Sequence, residues 1–158
     1  MIRADISELK ADLRPGQRLL GLDLGEKTIG LALSDTLLKV ASPLKTLKRS
    51  KFTADAAILG SLITEHGIGG LVIGLPLNMD GSEGPSAQSA RAFARNFAKL
   101  SDCPVTFMDE RLSTAAVTRT LLEADASRRR RSEVVDKMAA AYILQAALDR
   151  LRHLPPPP

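Results

Sequence analysis

Tryptophan is absent from this chain, and tyrosine and phenylalanine leave aromatics at only 3% of 158 residues. Recognition of single strands by stacking bases on a row of rings is therefore not expected. Phe93 and Phe97, four apart at helical spacing, read as core. Cysteine occurs once, at Cys103, which excludes an internal disulfide framework and suits a reducing compartment. Cys103 opens the apolar run Cys103-Pro104-Val105, and neither His66 nor His153 falls beside it in the pattern, so a structural thiol is expected. No run approaches the ~20 apolar residues of a membrane span. The first residues, MIRADISELKADLRPG, mix charges and lack the apolar centre of a secretion signal. The expectation is a soluble, cytoplasmic protein with no membrane partner.

What is present suits one globular domain. Hydrophobic residues reach 44%, and the length allows a real core without staples. The net charge of +4 permits a polyanionic partner without requiring one. Residues 1–17 read as a polar extension ended by Pro15-Gly16, residues 18–153 as a single domain, and 154–158 as an extended proline tail.

Three apolar or alternating runs come first: Arg18–Leu24, Thr28–Ser34 and Val40–Leu47. The short turn Gly25-Glu26-Lys27 makes the first two an antiparallel hairpin. Phe52–His66 has helical spacing, with Phe52, Ala56, Leu59 and Ile63 on one face, and Gly67 stops it. Gly70–Leu75 is continuously apolar, the mark of a strand buried on both faces. The loop NMDGSEGP at Asn78–Pro85 is rich in turn formers. A helix follows from about Ser86 to Leu100, then a strand at Val105–Met108. Ser113 is placed to cap a helix running to about Ala124, and Ser132 another running to about Arg152. Two strands separated by a helix pair in parallel. The expected class is thus α/β and RNase H-like: a five-stranded mixed sheet, three antiparallel meander strands plus two parallel, covered by helices.

Three acids break this apolar pattern. Asp23 lies in LLGLDLG, where an ionised carboxylate is costly unless compensated. Glu110 follows Asp109 where the last strand ends, at the sheet's carboxyl edge, and strand alternation puts only one of the two on the Asp23 side. Asp136 heads a stripe with Ala140, Ile143 and Ala147, which would carry it to the same edge as that stripe packs on the sheet. An acid in a first helical turn also favours the dipole by ~0.3–1 kcal/mol, but Glu133 already serves there. Three carboxylates meeting at one point repel, and a hard divalent cation resolves the conflict. Oxygen donors without a cysteine cluster point to Mg²⁺ or Mn²⁺. Two such ions, ~3.5–4 Å apart, can activate water and stabilise the leaving oxygen of a phosphodiester.

Four segments together resemble one family. GLDLGEKTIGLALSD is similar to the opening hairpin of the YqgF (RuvX) family, and IGLPLNMDGSEGPSA to its glycine-rich loop. FMDERLSTAAV resembles its acidic strand end, and VVDKMAAAYILQAALD its closing helix. The resemblance implies an RNase H-like nuclease related to Holliday junction resolvases, acting in maturation of pre-16S rRNA. It further implies Asp23, Glu110 and Asp136 as catalytic metal ligands, with Arg111 and the Gly81–Ser86 loop beside them. The choice of Glu110 over Asp109 rests on this resemblance more than on spacing.

Candidate substrate contacts surround these acids. Arg128, Arg129, Arg130 and Arg131 form a run close to Asp136, suited to phosphates but not to reading sequence. Asn78, Ser82 and Ser86 can donate to a phosphate, and Gly81 and Gly84 allow close backbone approach. Lys45, Lys48, Arg49 and Lys51 make a second basic patch that reads mainly as a solvated surface. The expected partner is structured nucleic acid, pre-rRNA first and branched DNA second, bound by a monomer or homodimer. Two other readings stand beside the nuclease: a nucleotide-binding domain of the actin and Hsp70 type, and a non-catalytic ribosome-assembly factor.

Overall fold

The computed structural model describes residues 1–113 and 128–154, with backbone alone at 128–134. The strands are β1 (Arg18–Leu24), β2 (Thr28–Ser34), β3 (Ala41–Lys48), β4 (Ile68–Leu75) and β5 (Val105–Asp109). The helices are α1 (Ile6–Asp12), α2 (Phe52–His66), α3 (Pro85–Ala98) and α4 (Arg128–Arg152). One five-stranded sheet runs in the order β3-β2-β1-β4-β5. β1, β2 and β3 pair antiparallel, whereas β1, β4 and β5 are parallel, as the sequence pattern predicts.

Helices cover both faces. Leu20, Leu22, Leu71, Ile73 and Val105 point toward α2 and α3 and meet Leu59, Ala90, Phe93 and Phe97. Leu19, Ala32, Val72 and Met108 point the other way and meet Ala140, Ile143, Leu144 and Ala147 of α4. β4 is buried along its whole length, which explains its unbroken apolar run. Gly67 stops α2 in the left-handed region at φ 63°, where its N–H bonds the carbonyl of Ile63.

Two expectations are corrected. The first 17 residues are not simply a polar extension. Asp5 caps α1 by accepting from the Glu8 N–H, while the Glu8 carboxylate accepts from the Ala4 N–H at 2.8 Å. This capped turn starts a helix whose Ile6 and Leu9 are buried under the sheet beside α4. Upstream, the Val105 N–H bonds the Met1 carbonyl and the Arg3 N–H bonds the Val105 carbonyl, so the N-terminus covers part of the β5 edge. Three apolar side chains at helical spacing (Ile6, Leu9, Leu13) were masked in the sequence by the charges between them.

The second correction is at the closing helix. Ser132 is no cap, because α4 already runs from Arg128. Arginine propagates a helix about as well as leucine, so the arginine run belongs to the helix rather than to a loop before it. The helix expected after Ser113 lies outside the described residues, as do the last four prolines.

Candidate metal and nucleic-acid site

The parallel strands β1, β4 and β5 all end at one edge of the sheet, and antiparallel β2 begins there. Across that edge run three small or acidic positions. Asp23 of β1 lies directly opposite Gly30 of β2. Leu22 pairs with Ile73 in the parallel ladder, so Gly74 stands one step further on the other side of Asp23. Odd positions of β1 face α4, because a Cβ on Gly21 would meet Leu144 Cβ at 2.8 Å. Asp23 therefore faces α4 as well.

Each flanking glycine makes room for another acid. A Cβ on Gly30 would lie 2.0 Å from the carbonyl oxygen of Asp136. One on Gly74 would lie 2.8 Å from Glu110 Oε1 and 2.5 Å from Ile143 Cδ1. The row Gly30–Asp23–Gly74 thus seats Asp136 over one end and Glu110 over the other. Asp23 is 4% exposed and Glu110 9%, while Asp136 is half-buried and accepts a hydrogen bond from the Thr28 hydroxyl. The stripe expected on the closing helix does face the sheet, with Ala140, Ile143 and Ala147 fully buried.

Alternation separates Asp109 from this group. Asp109 follows Phe107 on the α2–α3 face, where its carboxylate accepts from the Arg111 backbone N–H at 2.9 Å and pairs with Arg111 Nη2 at 2.8 Å. The Arg111 guanidinium beside it holds the Asp109 carboxyl below its ordinary range. Arg111 also donates through Nη1 to the Met79 carbonyl at 3.2 Å, tying the glycine-rich loop to the end of β5.

That loop is largely closed on itself. Asn78 Nδ2 donates to Ser82 Oγ at 2.9 Å, and the Ser82 hydroxyl donates to Asp80 at 2.6 Å. The Ser82 bonds pull the Asp80 carboxyl down. Gly81 sits at φ 88°, a left-handed conformation that fits glycine. Ser86 lies in the first turn of α3 and lines an open groove of about 800 Å³ with Leu24, Gly25, Glu26, Arg49, Ser50, Pro85 and Ser89. Arg49 is anchored there, with Nη1 donating to the Gly25 carbonyl at 2.7 Å and its guanidinium 5.8 Å from the Phe93 ring centre. Of the arginine run, only the helical backbone of α4 is described.

The donor chemistry along the row suits a hard divalent cation, being carboxylate and hydroxyl oxygen. Among the described residues, however, no group of three or more His, Cys, Asp or Glu side chains is arranged to hold a metal ion as it stands. His66 ends α2 next to the start of β4, and Cys103 precedes β5, so both lie toward the opposite edge of the sheet. Burial pushes the Cys103 thiol up to about 11, the behaviour of a structural cysteine.

Residues 17–150 match the family model for RuvX, described as Holliday junction resolvase. This chain belongs to the RuvX family. A relative from Paramagnetospirillum magneticum with the provisional name pre-16S rRNA nuclease is 64% identical over 143 residues, spanning 90% of this chain and 92% of that one. Another from Roseobacter denitrificans, under the same name, is 61% identical over 154 residues, spanning 96% and 94%. Among solved structures, Thermus thermophilus RuvC in complex with a Holliday junction substrate matches with a TM-score of 0.55 at 16% identity. That match spans 89% of this chain and 99% of RuvC. Such distant likeness shows a shared fold, the RNase H-like class expected from the strand order. The positions missed by sequence reasoning are Thr28, Gly30 and Gly74. Their only signal was small or hydroxylated residues inside otherwise apolar strands.

Proposed function

We propose that this RuvX-family chain is a divalent-metal-dependent nuclease that hydrolyses phosphodiester bonds in structured nucleic acid, with the 5′ end of pre-16S rRNA as its substrate. The observation that supports this reading is that Asp23, Glu110 and Asp136 lie on the α4 face at one edge of the sheet, with Gly30 and Gly74 making room there. The names of the close relatives support the rRNA substrate. In this reading the three carboxylates hold Mg²⁺ or Mn²⁺, as two ions. The bound ions would supply Lewis-acid activation of water and charge stabilisation at the leaving oxygen.

The chain's own residues do the rest. Asp23 and Glu110 are nearly buried, so bulk water has little access to their carboxylates. Arg111 fixes the glycine-rich loop beside it, and Gly81, Gly84 and Ser86 let a phosphate chain approach the backbone closely. Arg128, Arg129, Arg130 and Arg131 extend α4 upstream of Asp136 and contribute positive charge along the path of the nucleic-acid backbone. Asn78 and Ser82 shape the loop through their mutual bond as well as offering donors. No described helix is long and apolar enough to cross a membrane, and cytoplasmic action on rRNA follows from this proposal.

A second reading, resolution of branched DNA, is favoured by the family description and needs the same carboxylates. The test is cleavage of a labelled pre-16S RNA 5′ region, a single-stranded RNA and a four-way DNA junction with Mn²⁺ or Mg²⁺. Asp23→Asn and Glu110→Gln proteins run in parallel. Losing a ligand that stabilises the transition state by several kcal/mol should cut cleavage by ~10²–10⁴-fold, with most nucleic-acid affinity kept. Preferential cutting of the RNA 5′ region supports the proposal, and preferential cutting of the junction supports the second reading. Binding of RNA without cleavage under any of these conditions overturns the catalytic claim and leaves an assembly factor.

A further inference from the structure

We infer that Thr28 is a positioning residue for Asp136, setting where the helix-borne carboxylate stands relative to Asp23. The inference rests on the reading of Asp136 as an ion ligand. Thr28 opens β2 immediately after the turn that carries the chain away from Asp23. Its hydroxyl donates to Asp136 Oδ2, a contact that joins residues 108 apart in sequence.

Three features make this more than a chance surface contact. Thr28 is two residues from Gly30, so both present the same face of β2 to α4. A Cβ on Gly30 would strike the carbonyl oxygen and carbon of Asp136 at 2.0 and 2.3 Å, so the helix rests on bare backbone there. Gly30 is also the direct cross-strand partner of Asp23. β2 therefore touches both acids: it faces Asp23 through the ladder, and holds Asp136 through a notch for its main chain and a hydroxyl for its side chain.

The chemistry of the bond matters as well. A hydroxyl that donates to one carboxylate oxygen fixes the rotamer of the acid. Among the described residues the carboxylates are not arranged as a cage. An acid already held in one rotamer loses less side-chain entropy on binding an ion than one that rotates freely. Groups that orient metal ligands through a hydrogen bond commonly account for 10–100-fold in metal affinity.

Three variants decide the matter: Thr28→Val, which keeps the branched shape and removes the donor; Thr28→Ser, which keeps the donor; and Asp136→Asn. Mn²⁺ affinity is measured by calorimetry on the full chain, alongside thermal unfolding in EDTA and steady-state cleavage. The expected result is a ~10–100-fold weaker Mn²⁺ affinity for Thr28→Val and a fall in kcat without a rise in KM. Thr28→Ser should bind Mn²⁺ as the unaltered chain does. If Thr28→Val lowers only the unfolding temperature, or if Ser and Val weaken the ion equally, the role is packing and the inference is overturned. If Thr28→Val is silent while Asp136→Asn loses the ion, the Thr28 role alone falls. Should Asp136→Asn bind Mn²⁺ unchanged, the ion-ligand reading of Asp136 falls, and the Thr28 inference with it.

Discussion

Replacing Gly30 with alanine adds one methyl group and should unseat the start of α4. By strand propensity the change ought to help, since glycine in a strand interior costs ~0.5–1 kcal/mol relative to alanine. The structure predicts the opposite sign. The new Cβ would stand 2.0 Å from the Asp136 carbonyl oxygen, 2.3 Å from its carbon and 2.9 Å from the Lys137 nitrogen. All three are backbone atoms of a helix, so no side-chain rotation can relieve the clash. The helix must retreat by more than about 1 Å to reach ordinary contact. Overpacking of this kind costs ~1–3 kcal/mol or more, which for a chain of this size lowers the unfolding temperature by roughly 2–12 °C. Gly60 supplies the control, because it lies in α2 and a Cβ there meets nothing within 4 Å. Gly60→Ala should gain ~0.5–1 kcal/mol and raise the temperature by roughly 1–4 °C. Thermal unfolding of both proteins in EDTA, followed by circular dichroism, reads the two signs side by side. A Gly30→Ala protein melting within about 1 °C of the unaltered chain would refute the close seat of Asp136 on β2.

Further consequences concern the N-terminus, the loop clamp and the thiol. Leu9→Ala should cost ~2–5 kcal/mol, because Leu9 is fully buried against Gly70 and Leu19, and chemical denaturation will show it as a lowered midpoint. A truly peripheral extension would show no change. Arg111→Ala removes the bonds to Asp109 and the Met79 carbonyl, so amide exchange at Gly81 and Ser82 should rise by about tenfold or more. Unchanged exchange would mean that the loop holds itself without Arg111. Cys103, pushed up to about 11, should resist alkylation at pH 8 in the folded chain and react once the chain unfolds. Because its folded pKa lies above the unfolded value, folding retains the thiol proton. The stability it contributes is therefore present below the unfolded pKa and is lost as pH climbs toward 11.

The sequence by itself determined the secondary structure of the central sheet and two of its covering helices. β1, β2 and α2 stand at the predicted residues because their signals are local: period-two alternation, helical spacing, and a glycine that ends the helix. The same local logic marked Asp23, Glu110 and Asp136, since an acid inside an apolar run stands out wherever the chain later goes. It went wrong where local signals were diluted. Charges between Ile6, Leu9 and Leu13 hid a helix with one buried face, and Ser132 looked like a cap because serine often is one.

Tertiary structure decided what no local pattern could carry. Which of Asp109 and Glu110 lies on the α4 face depended on how the chain leaves β5, and Glu110 is the one that stands over Gly74. Asp136 sits close over β2 only because α4 lies across that strand with no Cβ at Gly30 to hold it off. Thr28 meets its partner 108 residues away, so nothing in its own neighbourhood announces the bond. Local sequence sets which elements form because their energies depend on neighbours along the chain. The site needed the fold, because side chains far apart in sequence meet only where packing leaves them room.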